Sequence, residues 1–327
     1  MTVLVTGATG FVGLNLIEHL LGEGRHVVAF ADRPLPEPAA ASFRAMPGRL
    51  DPVLGDVTHG DAVRRTIDAH GVTQVVHGAA ITAGADRDRA EPERIVAVNV
   101  AGTAAVARAA YESGIGRFVH LSSIVVFGSR YPAEAVLDEE TPTAPESLYG
   151  ITKAAGEQVV IRLADLTGLD VRIGRLGTVF GPWEYATGLR DTLSSMHQAV
   201  RIARAGGIAH LARPCARTWH YARDTARNIA VLLDVEAPRH RLYHLADAPD
   251  WTLADWCDGL RRRHPDFSYT VGGEATGQPI DLYSSHDSGR LSGARFRAEF
   301  GTPSRHGLEE AQDAYGAWLD RHAGFGL

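Results

Sequence analysis

Tyr149 and Lys153, four positions apart, carry the clearest chemical signal in the sequence. At that spacing both side chains project from one face of a helix. An ammonium beside a phenol favours the phenolate, so a group with an ordinary pKa of about 10 moves toward use as a base near neutrality. An isolated Y-x-x-x-K is more often a pair of surface residues. Here the serine pair Ser122-Ser123 closes the preceding apolar run from Phe118 to Leu121. A hydroxyl, a phenol and an ammonium are then available to one reacting oxygen. That set suits moving a proton to or from an alcohol, and removing hydride from its carbon requires an acceptor.

The N-terminus offers a seat for that acceptor. Thr6-Gly7-Ala8-Thr9-Gly10-Phe11-Val12-Gly13 lies between the strand-like Val3-Leu4-Val5 and a helical pattern of Phe11, Leu14, Ile17 and Leu21. Glycines at 7, 10 and 13 permit a tight turn, close approach of backbone to a pyrophosphate, and close helix-strand packing. Asp32 follows Gly13 by 19 positions at the end of the second strand-like run. A carboxylate there accepts both ribose hydroxyls of NAD and repels a 2′-phosphate, whereas the adjacent Arg33 suits NADP. NAD is the expected cofactor, with NADP as the alternative. Asp56-Val57 and Ala79 follow the third and fourth strand-like runs. Alone they read equally well as turn and packing residues.

These residues need a scaffold that brings strand ends together. Short β-branched runs at 3–5, 27–30, 74–76 and 118–121 alternate with helical patterns near 58–70, 93–113 and 148–167. Such alternation predicts an α/β fold, a doubly wound parallel sheet of Rossmann type. Pro34, Pro36, Pro38 and Pro47 predict an irregular loop over 33–48. Regularity fades after residue 174, so the expected plan is a dinucleotide-binding domain at 1–170 and a smaller, partly interleaved substrate lobe at 171–327.

With 33 basic and 39 acidic residues in 327, the net charge of −6 gives no footprint for nucleic acid or an anionic membrane. Two cysteines, Cys215 and Cys257, are too few for a disulfide framework. No apolar run approaches membrane-spanning length and no signal peptide is visible, so a cytoplasmic location is expected. Fifteen histidines show no zinc-site spacing, and no metal is expected. Between 183 and 217, Trp183, Arg190 and Arg217 stand among many arginines and aromatics. This density suits an anionic or sugar-like small molecule, or equally a solvated surface.

Taken together, the glycine loop, Ser122-Ser123, Tyr149/Lys153, Arg175 to Pro182 and Arg217 to Asp224 resemble the NAD-dependent epimerase/dehydratase family, the extended short-chain dehydrogenase/reductases. The resemblance implies that Ser123 holds the substrate oxygen, Ser122 supports the cofactor, and Asn99 steadies the active-site backbone beside it. It implies cofactor contacts from Gly7, Gly10, Phe11, Val12, Gly13, Asp32, Arg33, Asp56, Val57, Ala79, Asn99, Ser122 and Lys153. Candidate substrate contacts are Thr82, Ser123, Thr178, Trp183, Arg190 and Arg217. It also implies a homodimer through the Ala-rich helix at 100–110 and the helix carrying Tyr149. Two departures narrow the reaction. Ile124 and Val125 stand where sugar dehydratases carry an acidic pair, and Thr178 replaces an asparagine used by nucleotide-sugar enzymes. The expected function is NAD-dependent oxidation at a carbinol of a sugar or sugar-acid-like substrate; the alternative is a nucleotide-sugar 4-epimerase with transient oxidation.

Overall fold

The first strand, β1 (Thr2–Thr6), buries Val3, Leu4 and Val5 completely or nearly so, which demands cover on both faces. The computed structural model, which describes residues 1–323 and 325, supplies that cover. The expected second region runs to Leu327, and residues 324, 326 and 327 of it lie outside the described ones. The other strands of the main sheet are β2 (His26–Ala31), β3 (Arg49–Leu54), β4 (Gln74–His77), β5 (Arg117–Ser123), β6 (Val171–Leu176) and β7 (Leu242–His244). They form a seven-stranded sheet in the order β7-β6-β5-β4-β1-β2-β3, every pair parallel.

Alternate residues of β1 serve opposite faces. Val3 and Val5 join Leu14, Ile17 and Leu21 of α1 (Phe11–Gly22) and Ile229 and Leu233 of the helix Ala222–Asp234. Leu4 joins Val63 and Ile67 of α3 (Gly60–His70), Val106 of α4 (Gly102–Glu112) and Val160 of α5 (Leu148–Thr167). The chain winds outward from β1 through β2 and β3, then returns to start β4 on the other side. The carboxyl ends of β1 and β4 therefore part at a switch point, where doubly wound sheets bind ligands.

Two expectations about elements change. The proline-rich stretch holds a helix, α2 (Glu37–Arg44), because Pro36 sits at its N-cap and Pro38 in its first turn, where no amide is required. Ala39 to Ala41 carry it on, and buried Phe43 anchors it. The helical region near 93–113 is divided: Pro92–Val96 leads into a π-helical turn, Ala97–Ala101, before α4 begins. Such turns widen a helix by one residue and favour functional sites. The last two strands of the sheet come from beyond residue 170. The remainder of that region builds the short pair Thr178–Phe180 and Trp219–Tyr221, the helix Ser195–Arg204, and a three-stranded sheet around Ile208–Leu211.

Candidate active site

At the switch point β1 runs into Gly7, whose φ of 69° favours glycine. A Cβ there would lie 2.7 Å from the Ala79 amide nitrogen, and one at Gly13 would lie 2.3 Å from the Gly7 carbonyl oxygen. Gly10 caps α1 without a side-chain hydrogen bond, so the first-turn amides face the cleft. A close-packed backbone turn ending on open helix amides fits a dinucleotide pyrophosphate. The cleft has a volume of about 670 Å³ and extends from this loop past Asp32, Arg33, Asp56, Val57 and Ala79 to Ser123, Tyr149 and Lys153. It ends among Thr178, Arg190 and Arg217. Asp32 and Arg33 form a two-pronged pair with each other, both bonds 3.1 Å, and Arg33 also donates to the Thr187 carbonyl at 2.6 Å.

The Ser147 hydroxyl caps α5 by accepting from the Gly150 amide, and this start places Tyr149 in the first turn and Lys153 one turn on. Ser123 ends β5 opposite them. Burial pushes the Tyr149 phenol above its ordinary pKa; the Thr82 hydroxyl, the Arg190 charge and the Ser123 hydroxyl oppose that rise. Lys153 is pushed down to about 8 by burial, against the pull of Glu157. Glu157 in turn grips Arg175 through two bonds of 2.8 Å, with both side chains buried. At pH 7 the ammonium therefore still predominates, one helical turn from the phenol.

Three of the expected contacts act differently. Ser122 borders the cleft, but its hydroxyl donates to Glu157 at 2.5 Å rather than toward a cofactor. Asn99 stands behind the cleft wall in the π-helical turn. Its side-chain amide brackets Ile81, accepting from the backbone N–H at 2.8 Å and donating to the carbonyl at 3.0 Å, and it also donates to Thr152. It thus holds the strand exit leading to Thr82 and does not itself line the cleft. Trp183 is a correction: its ring is fully buried between Phe43 and Trp318, at 5.5 and 4.9 Å, and its N–H donates to Glu18. Its left-handed φ of 63° turns the indole into the core.

The next residue, Glu184, takes the place beside the site. Its carboxylate accepts from the Ser194 amide and hydroxyl at 2.6 and 2.5 Å and pairs with Arg190 at 2.9 Å. Arg190 also lies over the Phe11 ring, and its backbone forms an isolated parallel bridge with Thr82. Arg217 donates to the Leu282 carbonyl and the Ser284 hydroxyl and covers the Tyr283 ring at 5.2 Å. Among the described residues it has no carboxylate partner. Tyr283 and Asp281 complete this end of the cleft. No local sequence signal singles them out, because loop contacts alone bring them there.

Comparison with known proteins agrees with this geometry. The model of the NAD dependent epimerase/dehydratase family matches residues 3–246. A dTDP-glucose 4,6-dehydratase of Streptomyces antibioticus is 32% identical over 270 residues, covering 78% of this chain and 75% of that protein. Sterol demethylase protein B of Methylococcus capsulatus is 35% identical over 213 residues, 64% of this chain, and the match spans 61% of that relative's length. The structure of DesIV, a dTDP-glucose 4,6-dehydratase from Streptomyces venezuelae with NAD and TYD bound, shares the fold. Its TM-score is 0.78 at 24% identity, with 99% of this chain and 98% of that chain covered. With the family match spanning most of the chain and the glycine turn open to a pyrophosphate, the chain belongs to the NAD dependent epimerase/dehydratase family and is an NAD-dependent enzyme of the extended short-chain dehydrogenase/reductase type.

Proposed function

We propose that this enzyme oxidises a secondary alcohol of a compact, polyhydroxy substrate that carries a negative charge. One observation carries the reading: the Ser123, Tyr149 and Thr82 hydroxyls meet in the cleft that begins at the glycine loop, and it ends at Arg217, a guanidinium with no carboxylate partner among the described residues. Backbone at Gly7, Gly10, Phe11, Val12 and Gly13 would hold the pyrophosphate of NAD, Asp32 the adenosine ribose, Asp56 and Val57 the adenine, and Ala79 and Lys153 the nicotinamide riboside. NAD, when bound, supplies the hydride acceptor.

The chain's own residues manage the proton. Ser123 and Thr82 orient the substrate oxygen, and the Tyr149 phenolate takes its proton. The Lys153 ammonium stabilises that phenolate against the burial that otherwise raises its pKa. Glu184 neutralises Arg190, which then serves as a hydrogen-bond donor more than as a charge. Arg217 is left to meet a carboxylate or phosphate. Ile124 and Val125 line the cleft where a dehydratase needs acid and base, so net elimination of water has no proton donor there.

A second reading rests on the same arginine. A diphosphate would also satisfy Arg217, and a 4-epimerase would oxidise, turn and reduce a nucleotide sugar with no net change in NAD. The separating experiment supplies NAD with aldonates, free sugars, UDP-sugars and dTDP-sugars while nicotinamide absorbance and products are followed. Stoichiometric NADH from a non-nucleotide substrate is the expected outcome. Turnover confined to nucleotide sugars without NADH would establish the epimerase instead. The same proposal includes a homodimer through α4 and α5, which expose Tyr111, Ile151 and Leu166. A monomer in sedimentation would remove it.

A further inference from the structure

At the end of the sheet remote from the cleft, three side chains distant in sequence converge. His26 opens β2, Asp51 lies in the edge strand β3, and His70 ends α3. The Asp51 carboxylate oxygen Oδ2 is 2.9 Å from His26 Nε2 and 3.1 Å from His70 Nδ1. All three donor atoms lie within 4.8 Å of one another. β2 ends at Ala31 beside Asp32, so at ~3.3 Å per residue the cluster sits roughly 17 Å from the cofactor end of the same strand.

We propose that His26, Asp51 and His70 form a structural zinc site that fastens the edge strand and the end of α3 to the sheet. Two imidazoles and one carboxylate suit zinc and related transition metals and disfavour calcium or magnesium, which take oxygen ligands. The spacing fits as well. Two ligands bound to zinc at about 2.05 Å with a tetrahedral angle stand roughly 3.3 Å apart, close to the 2.9 and 3.1 Å from Asp51 to the two imidazoles, and the imidazoles lie within 4.8 Å of each other. The three side chains are 20–27% exposed, which leaves a fourth position for water. His26 has outer-shell support: its Nδ1 lies 3.2 Å from the Thr2 hydroxyl, which fixes the ring with Nε2 toward Asp51.

Arg49 is the competitor. It donates to both Asp51 oxygens, at 3.2 and 2.8 Å, but its side chain is 70% exposed and can swing into solvent. The benefit of a staple follows from position. β3 is the last strand of the sheet, with only β2 beside it, and its residues are mostly exposed or half-buried. The sequence spacing of 26, 51 and 70 carries no metal signature, because three separate elements contribute one ligand each.

The test uses the full chain stripped of metal. Zinc titrated by calorimetry is expected to bind with one-to-one stoichiometry, and cobalt in its place should give the visible absorption of a four-coordinate site. His70→Gln and Asp51→Asn should each weaken binding at least roughly tenfold. Arg49→Gln should bind zinc at least as tightly as the parent. Zinc should raise Tm in the parent and not in His70→Gln, while NAD affinity stays the same in both. The proposal is overturned if no one-to-one binding is seen, or if His70→Gln and Asp51→Asn bind as the parent does, since the chain's other histidines would then hold the metal. Should Asp51→Asn fail to fold, His70→Gln, at the end of a surface helix, decides alone.

Discussion

Replacing Lys153 with methionine should make the ligand-free protein more stable while destroying its activity. Lys153 is 5% exposed, and burial brings its ammonium to about 8 from 10.5, with Glu157 only partly opposing the shift. At about 1.36 kcal/mol per tenfold change in proton affinity, the charged form then costs the fold about 3 kcal/mol at pH 7. Methionine is unbranched, apolar and of similar length, so it fills the same space without that penalty. Urea unfolding of the ligand-free proteins at pH 7 should show the variant ahead by about 2–3 kcal/mol. The sign with pH follows from where each state binds its proton. The folded wild type releases it near pH 8, while the unfolded chain holds it until about 10.5. Between those values the unfolded state binds more protons, so wild-type stability rises with pH and the gap narrows to about 1 kcal/mol at pH 9.5. Turnover should fall by at least roughly a hundredfold, because Tyr149 loses the cation that favours its phenolate. A variant less stable than wild type at pH 7, or a gap that does not change with pH, would refute the reasoning.

Tyr149→Phe removes one oxygen and should lower turnover by roughly 10²–10⁴ with NAD affinity nearly unchanged, as measured by steady-state rates and calorimetry. Gly13→Ala places a methyl 2.3 Å from the Gly7 carbonyl, so the loop must shift; NAD affinity should drop at least roughly tenfold while far-UV circular dichroism is preserved. Trp183→Ala should cost about 3–5 kcal/mol in urea unfolding, because the ring fills the core between Phe43 and Trp318. A small loss there, paired with a large change in KM, would return Trp183 to the substrate side.

What could be read from the sequence was whatever is contiguous. The glycine turn is one unbroken segment between a strand and a helix, and Tyr149 and Lys153 share a helix face by spacing alone. The proline-rich segment shows that position outweighs composition: all four prolines fall before the helix interior or after its end, so the helix forms despite them. Trp183 and Glu184 show a different limit. They are adjacent, and which of them faces the site depends on one left-handed residue that no residue type announces. Tyr283 and the His26–Asp51–His70 cluster are assembled from separate elements, so neither leaves a local pattern. Glu157 was within reach, since 149, 153 and 157 recur every four positions along one helix.

That third member links Lys153 to Arg175. Behind the cleft lie the buried Lys153 and Arg175 cations and the buried Glu157 carboxylate, and the Glu139 carboxylate also feels the Arg175 charge. The two neighbouring histidines add nothing to the sum. His77 is pushed down to about 3 by burial and by Lys153, and His120 is pushed well below its ordinary value by the same causes, so both are neutral at working pH. Burial holds Tyr149 toward its neutral phenol, opposed by the Thr82 and Ser123 hydroxyls and the Arg190 charge. Ser122 serves this arrangement by donating to Glu157, which keeps the carboxylate on Arg175 and Lys153 without supplying charge of its own. On the proposed relay, Lys153, the member of this buried cluster that lines the cleft, is where its charge would reach the phenol and the ribose side of the cofactor seat.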